Sequence, residues 1–299
     1  MSPATHIHSK IHVLAVAGPP NRPRLHVTPQ TTNMESTGER VSLRSMVKME
    51  SVIRYFEEPE LDRPVLVEGL PGVGNVGKVV ADFMADKLGA KHFATVMSKY
   101  FPPQILMDPN GIAIPPTNEL YYLKDVGESH LDVIFLLGDF QAVTPDGQFT
   151  VCKDLMDEVF LKYDVSTIFT LGGYGTGQMV ENPRVLGAAT DMDTKTKLEP
   201  YGVSFVPGEP AAGIVGASGV LLGLAQFHGI AGACIMGETS GYFVDYKSAC
   251  FVLDVMEKLF GVEFDRSDLE EKCKQIEELA NKVRTYEASK KKDNLGYIG

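Results

Sequence analysis

Three patterns predict an α/β protein with a mostly parallel sheet covered by helices on both faces. Short, nearly continuous apolar runs recur at residues 65–68, 133–137, 167–171 and 230–236, as strands buried on both faces require. Between them lie stretches whose apolar residues follow a helical period. The first run enters a glycine-studded turn, Gly69, Gly72, Gly74 and Gly77, and a helix opens from it.

Residues 1–48 stand apart from this alternation. They hold Pro19, Pro20, Pro23 and Pro29 and a Thr/Asn/Ser-rich stretch without sustained period, which predicts a disordered extension. Segment 13–17 is too short for a secretory apolar core, and Met34, Met46 and Met49 offer later starts. A core domain is expected over 49–264. Val76, Val80, Phe83, Met84 and Leu88 place one apolar face on a helix over 76–88. A strand follows at 92–97. Residues 104–108 and 111–114 flank Asp108-Pro-Asn-Gly111, a turn signal that predicts an antiparallel hairpin insertion, to which 118–123 would add a third strand.

The alternation resumes with a strand at 133–137, a helix over 148–163, and a strand at 167–171 ending in Gly172-Gly-Tyr-Gly-Thr-Gly177. A strand at 203–206, a helix over 214–227, a strand at 230–236 and a helix over 246–260 complete the body. A C-terminal helix is expected over 265–289. Its Leu269, Cys273, Ile276, Ala280 and Val283 make a two-heptad seam, too short for a coiled coil alone, so packing on the body or on a neighbouring subunit is expected. Residues 290–299 read as a flexible tail, and the apolar Leu295, Tyr297 and Ile298 near its end suggest a docking element.

Hydrophobic content of 44% and charged content of 22% fit a soluble globular chain. A net charge of −11 argues against a nucleic-acid partner, which needs a clustered basic surface. The sequence has no apolar run of about 18 residues, so no membrane span is expected. Cys152, Cys234, Cys250 and Cys273 form no C-x-x-C pair and sit in apolar patterns, which predicts reduced thiols in the cytoplasm. Four of the seven histidines lie within the first 30 residues, and no metal site is expected.

The glycine turn matches two nucleotide-binding patterns and completes neither. Gly72, Gly74 and Gly77 spell the dinucleotide G-x-G-x-x-G, yet the end of the second strand, Met97-Ser-Lys-Tyr-Phe, has no acid for a ribose. Gly72 to Lys78 spells the phosphate loop, yet Val79 stands where magnesium needs a hydroxyl. The plainer reading is a tight turn with close helix–sheet packing. Ser218 in Gly216-Ala-Ser-Gly-Val220 lacks the last glycine of a nucleophile elbow and reads as a small packing residue. Glu68, Asp139, Gln141, Gln178 and Glu238 gather at strand ends. Asp139 and Glu238 would either face one crevice as an acid/base pair or cap helices, the reading preferred here.

Val67-Glu-Gly-Leu-Pro-Gly-Val-Gly-Asn-Val-Gly77, Gly138-Asp-Phe-Gln141, Thr170-Leu-Gly-Gly-Tyr-Gly-Thr-Gly177, Gly216-Ala-Ser-Gly219 and Gly237-Glu-Thr-Ser-Gly-Tyr242, in that order, resemble the archaeal proteasome assembly chaperone family, PAC2-like. The resemblance covers roughly residues 50–299. It implies an α/β/α sandwich similar to that of nucleoside phosphorylases, no established catalysis, no cofactor, and a homo-oligomer. It also implies docking on the α subunits of the 20S proteasome through a hydrophobic-Tyr-any tail. Tyr297, Ile298 and Gly299 would be the docking residues, although the motif puts Tyr second from the end and Tyr297 is third. The competing expectation is a phosphorylase- or hydrolase-like enzyme for a small phosphorylated or nucleoside-like ligand. It would use Gly72, Gly74, Gly77 and Lys78 with Asp139 and Glu238.

Overall fold

The computed structural model describes residues 50–211, 213–276 and 278. In chain order these form β1 (Ser51–Tyr55), β2 (Val65–Gly69), α1 (Val76–Leu88), β3 (Lys91–Ser98), β4 (Leu106–Met107), β5 (Ala113–Ile114), β6 (Asn118–Val126) and β7 (Leu131–Gly138). Then come α2 (Pro145–Leu155), β8 (Thr167–Gly175), β9 (Val185–Ala189), α3 (Met192–Leu198), α4 (Gly216–Phe227), β10 (Ala231–Thr239) and α5 (Tyr246–Phe260). Residues 267–276 are helical and are called α6.

Eight strands make one sheet in the order β1-β3-β6-β7-β2-β8-β10-β9. The expected parallel sheet is its central block, β7-β2-β8-β10, with each neighbouring pair parallel. The flanks pair antiparallel, β1, β3 and β6 on one side and β9 on the other. Side chains alternate across the sheet, so Val65 and Val67 enter the core under α1 and α5 while Leu66 enters the one under α2 and α4. The two apolar cores, one on each face, are the three layers expected from continuous apolar strands.

Local chemistry sets the helix ends. Thr144 accepts a hydrogen bond from Gly147 N and Pro145 opens α2, while Asp245 accepts from Ser248 N at the start of α5. Gly89 and Gly261 end α1 and α5 in the left-handed region, at φ 70° and 64°. Past Leu155, α2 widens into one π-type turn, Met156–Phe160, which extends it most of the way to the expected end.

Several expectations are corrected. β4 and β5 form the hairpin around Asp108; 118–123 is the antiparallel strand expected, β6, but it pairs in the main sheet between β3 and β7 instead of extending that hairpin. Residues 203–206 are no strand; Ser204 makes a single bridge to Leu186, too little for a ladder. The strand there is β9, an edge too short to show a period. β8 runs on through the glycines to Gly175, and at Gly173 a Cβ would overlap the Val73 carbonyl passing over the strand, so the residue there is glycine. Strand β1 and helix α3 were not anticipated. Leu269 of α6 is buried in the α1/α5 core, so the seam packs on the body; Ala280 and Val283 lie outside the described residues.

Candidate functional site at the carboxyl edge of the parallel strands

The ends of β2, β7, β8 and β10 meet the starts of α1, α4 and α5 at one edge, where ligands bind in open α/β sheets. The glycine turn lies there. Residues Val73–Asn75 make one 3-10 turn before α1, with Gly74 at φ 62° and Asn75 at φ 49°. The turn is strapped to the next elements: Asp245 N donates to Gly74 O at 2.9 Å, and Thr239 Oγ1 donates to Asp245 Oδ2 at 2.7 Å.

The glycines answer to packing. A Cβ at Gly77 would overlap the Leu171 carbonyl oxygen of β8, and one at Gly69 would overlap the Ala81 methyl of α1. α1 thus lies closer to the sheet than any larger residue permits. Gly72, by contrast, has open space around its would-be Cβ.

Lys78 is tied to the end of β7 and to its own helix. Its Nζ donates to Gly138 O at 2.9 Å and pairs with Asp82 at 2.8 Å and Asp139 at 3.2 Å. A lysine held between two carboxylates and a carbonyl has its donors committed before any phosphate arrives.

Glu68 is the most perturbed carboxyl at this edge. It is fully buried, and its oxygens accept from Leu70 N at 2.9 Å and Ser218 Oγ at 2.8 Å. Burial outweighs those two donors and pushes its carboxyl up to about 7. In register across the sheet it forms a row with Leu136, Thr170 and Cys234, under the first turns of α4. Burial likewise pushes the Cys152 and Cys234 thiols up to about 12, so both are inert. Ser218, expected to be mere packing, is therefore the hydroxyl that satisfies a buried acid.

Gln141 bridges two elements. Its Nε2 donates to Pro71 O at 2.6 Å and its Oε1 accepts from Ala217 N at 2.8 Å, tying the glycine turn to the start of α4. Glu238 accepts from Arg184 three times: Nε at 2.9 Å and Nη2 at 2.5 Å on one oxygen, and the backbone N at 3.0 Å on the other. Arg184 Nη2 also lies 3.2 Å from Glu209. These hydrogen bonds from Arg184 hold the Glu238 carboxyl below the usual range.

The structure therefore separates Asp139 from Glu238. Asp139 follows β7 and Glu238 lies near the end of β10, with β2 and β8 between them, three inter-strand steps of about 4.8 Å each. Each has its own cation, and neither caps a helix. The i,i+4 spacing of Lys78 and Asp82 was visible in the sequence, but Arg184, 54 residues from Glu238, carried no signal. Among the described residues no group of three His, Cys, Asp or Glu side chains is placed to hold a metal.

Helix α6 leads back to this edge. Arg266 pairs with Asp254 and Glu257 in α5, and Lys272 sits over the Tyr246 ring at 5.6 Å, so α6 runs antiparallel to α5 toward its start. Tyr297, Ile298 and Gly299 lie outside the described residues.

The profile of the PAC2 family matches residues 66–284, a span that contains every element at this edge. The chain belongs to the PAC2 family. This PAC2 protein is 32% identical over 264 residues to the uncharacterized protein MJ1210 of Methanocaldococcus jannaschii, covering 85% of this chain and 99% of that one. Among solved structures it resembles Pyrococcus furiosus PbaB, described as an archaeal proteasome activator, with 38% identity and a TM-score of 0.73 over 79% of this chain and 99% of that chain. Pyrococcus furiosus PbaA, described as an archaeal homolog of proteasome-assembly chaperone, shares 26% identity with a TM-score of 0.63, over 78% and 96% of the two chains. Among the described residues no helix is long and apolar enough to cross a membrane.

Proposed function

We propose that this PAC2 protein is a non-catalytic proteasome assembly chaperone or proteasome-binding adaptor, a cytoplasmic homo-oligomer that docks on 20S α subunits. The observation that carries the reading is its 38% identity to PbaB, an archaeal proteasome activator, over 99% of that chain. The carboxyl edge supports it from the other side. Lys78, Asp139 and Glu238, the polar groups an enzyme would spend on a ligand, have structural partners that hold loops and helices together.

Docking through the C-terminus is the finer part of the proposal. Tyr297 serves as the aromatic anchor, with Ile298 and Gly299 beside it. Each contact is weak alone; several copies on one oligomer raise the effective concentration and convert weak plugs into stable docking. Light scattering on size-exclusion peaks of this protein mixed with archaeal 20S α subunits tests the association. A co-eluting complex is expected, and separate elution at low salt contradicts it. The variant ending at Gly296 tests the tail: if it still co-elutes, docking uses another surface.

A further inference from the structure

Cys250 of α5 and Cys273 of α6 are half-buried thiols, partly open to solvent, whereas Cys152 and Cys234 are buried. The stripe of α5 that carries Cys250 also carries Tyr246, Asp254 and Glu257. Its other members all meet α6 or the turn into it. Tyr246 lies under Lys272, and Asp254 and Glu257 pair with Arg266. Cys250 therefore sits between two contacts with the C-terminal segment. On α6, Leu269 is buried in the α1/α5 core, and Cys273 lies one turn further along the same side. Burial is the main cause that pushes the Cys250 thiol up to about 11, and among its charged neighbours Cys273 raises it most, ahead of Asp254 and Glu270.

We propose that Cys250 and Cys273 form a thiol pair that a small-molecule disulfide oxidises to an intramolecular disulfide, fastening α6 to α5. Packed helices lie about 8–10 Å apart, and each Cα stands about 2.3 Å off its axis. Facing positions thus have Cα atoms roughly 3.5–5.5 Å apart, which overlaps the about 4.4–6.8 Å that a disulfide spans.

The chemistry is two thiol–disulfide exchanges. The Cys273 thiolate, on the outer helix, attacks one sulfur of the small disulfide. That S–S bond breaks, and the first small thiol leaves with the proton that Cys273 gave up. Cys250 then loses its proton and attacks the Cys273 sulfur. The mixed disulfide breaks, and the second small thiol leaves with that proton. Two protein sulfurs are oxidised and two small-molecule sulfurs are reduced. Little of Cys250 is thiolate at neutral pH, so the second exchange is the slow one. In the reduced chain α6 is held by Leu269 and by the pairs Lys87–Asp268 and Arg266 with Asp254 and Glu257. A bond at Cys273 adds a hold one turn beyond Leu269, on the helix from which the chain continues toward Tyr297.

Proteasome docking plays no part in this step, and the full wild-type chain alone tests it. The chain is incubated with glutathione disulfide at pH 8, then mapped by mass spectrometry of its peptides without reduction. The expected product is a peptide pair joined through Cys250 and Cys273, two hydrogens lighter than the separate peptides. Cys152 and Cys234 are expected to stay unreacted, since burial pushes both thiols up to about 12. Amide hydrogen exchange over residues 267–276 is expected to slow by about tenfold or more in the linked form and to recover with dithiothreitol. Cys250→Ser is expected to stop at the mixed disulfide on Cys273, with exchange over α6 unchanged. Glutathione retained on both cysteines without a link overturns the proposal, as do links formed only between copies and a lack of reaction at either cysteine. A link that leaves exchange over α6 unchanged overturns the fastening.

Discussion

Replacing Glu68 with glutamine keeps the shape of the side chain and an acceptor for Leu70 N, while removing a buried charge. Glu68 faces the Ser218 hydroxyl and the Cys152 and Cys234 thiols, and burial raises its carboxyl from 4.5 to about 7. Because the folded value lies above the unfolded one, folding favours the protonated form. The stabilising contribution is complete below pH 4.5 and is lost as pH rises through about 7. A carboxyl raised from 4.5 to about 7 corresponds to about 3 kcal/mol in full, most of it lost between pH 5 and pH 8. Glu68→Gln has no such loss. Urea unfolding of both proteins at pH 5, 6, 7 and 8 measures the difference directly. The wild type is expected to fall relative to Glu68→Gln by about 2–3 kcal/mol across that range. A difference that stays within about 0.5 kcal/mol at all four values would refute the argument, by showing that Glu68 does not titrate there.

Gly77→Ala drives a methyl into the Leu171 carbonyl, so urea unfolding should show a loss of about 3 kcal/mol or more, whereas Gly72→Ala, with open space, should cost under about 1 kcal/mol. Arg184→Met leaves the buried Glu238 with only a backbone donor; a loss of about 1–2 kcal/mol at pH 7 is expected, allowing for the half-exposed arginine. That loss should shrink as pH falls, since stability from a carboxyl with a lowered pKa is present above its unfolded value and disappears in acid. A nucleotide and nucleoside panel should leave the melting temperature unchanged. A ligand at 100 times its dissociation constant would add about 2.7 kcal/mol, and a shift of that size would return Gly72 to Lys78 to the enzyme reading.

The helices over 76–88 and 246–260 were legible to the residue, because each combines an apolar stripe with a glycine stop at Gly89 or Gly261. The central strands were legible because burial on both faces leaves mostly apolar residues, with the buried polar ones, Glu68, Thr170 and Glu238, toward the strand ends. The edges were not. β9, Val-Leu-Gly-Ala-Ala, has neither alternation nor branched side chains at its end, and 203–206 looks more like a strand than β9 does. The glycine turn shows a different limit. G-x-G-x-x-G states that backbone comes close to something, and the fold shows that at Gly77 the something is the Leu171 carbonyl of β8. Similarly, strand-end acids were legible as a group, but their cations, Lys78 and Arg184, were assigned by topology.

In the proposed reading this PAC2 protein engages the proteasome through Tyr297, Ile298 and Gly299. Its most direct test is the amount of archaeal 20S proteasome co-sedimenting with the full chain and with the chain lacking Tyr297, Ile298 and Gly299, at equal oligomeric state. Binding by the full chain and its loss in the shortened one are expected. Equal binding by both contradicts the tail mechanism, and binding by neither contradicts the proteasome reading itself.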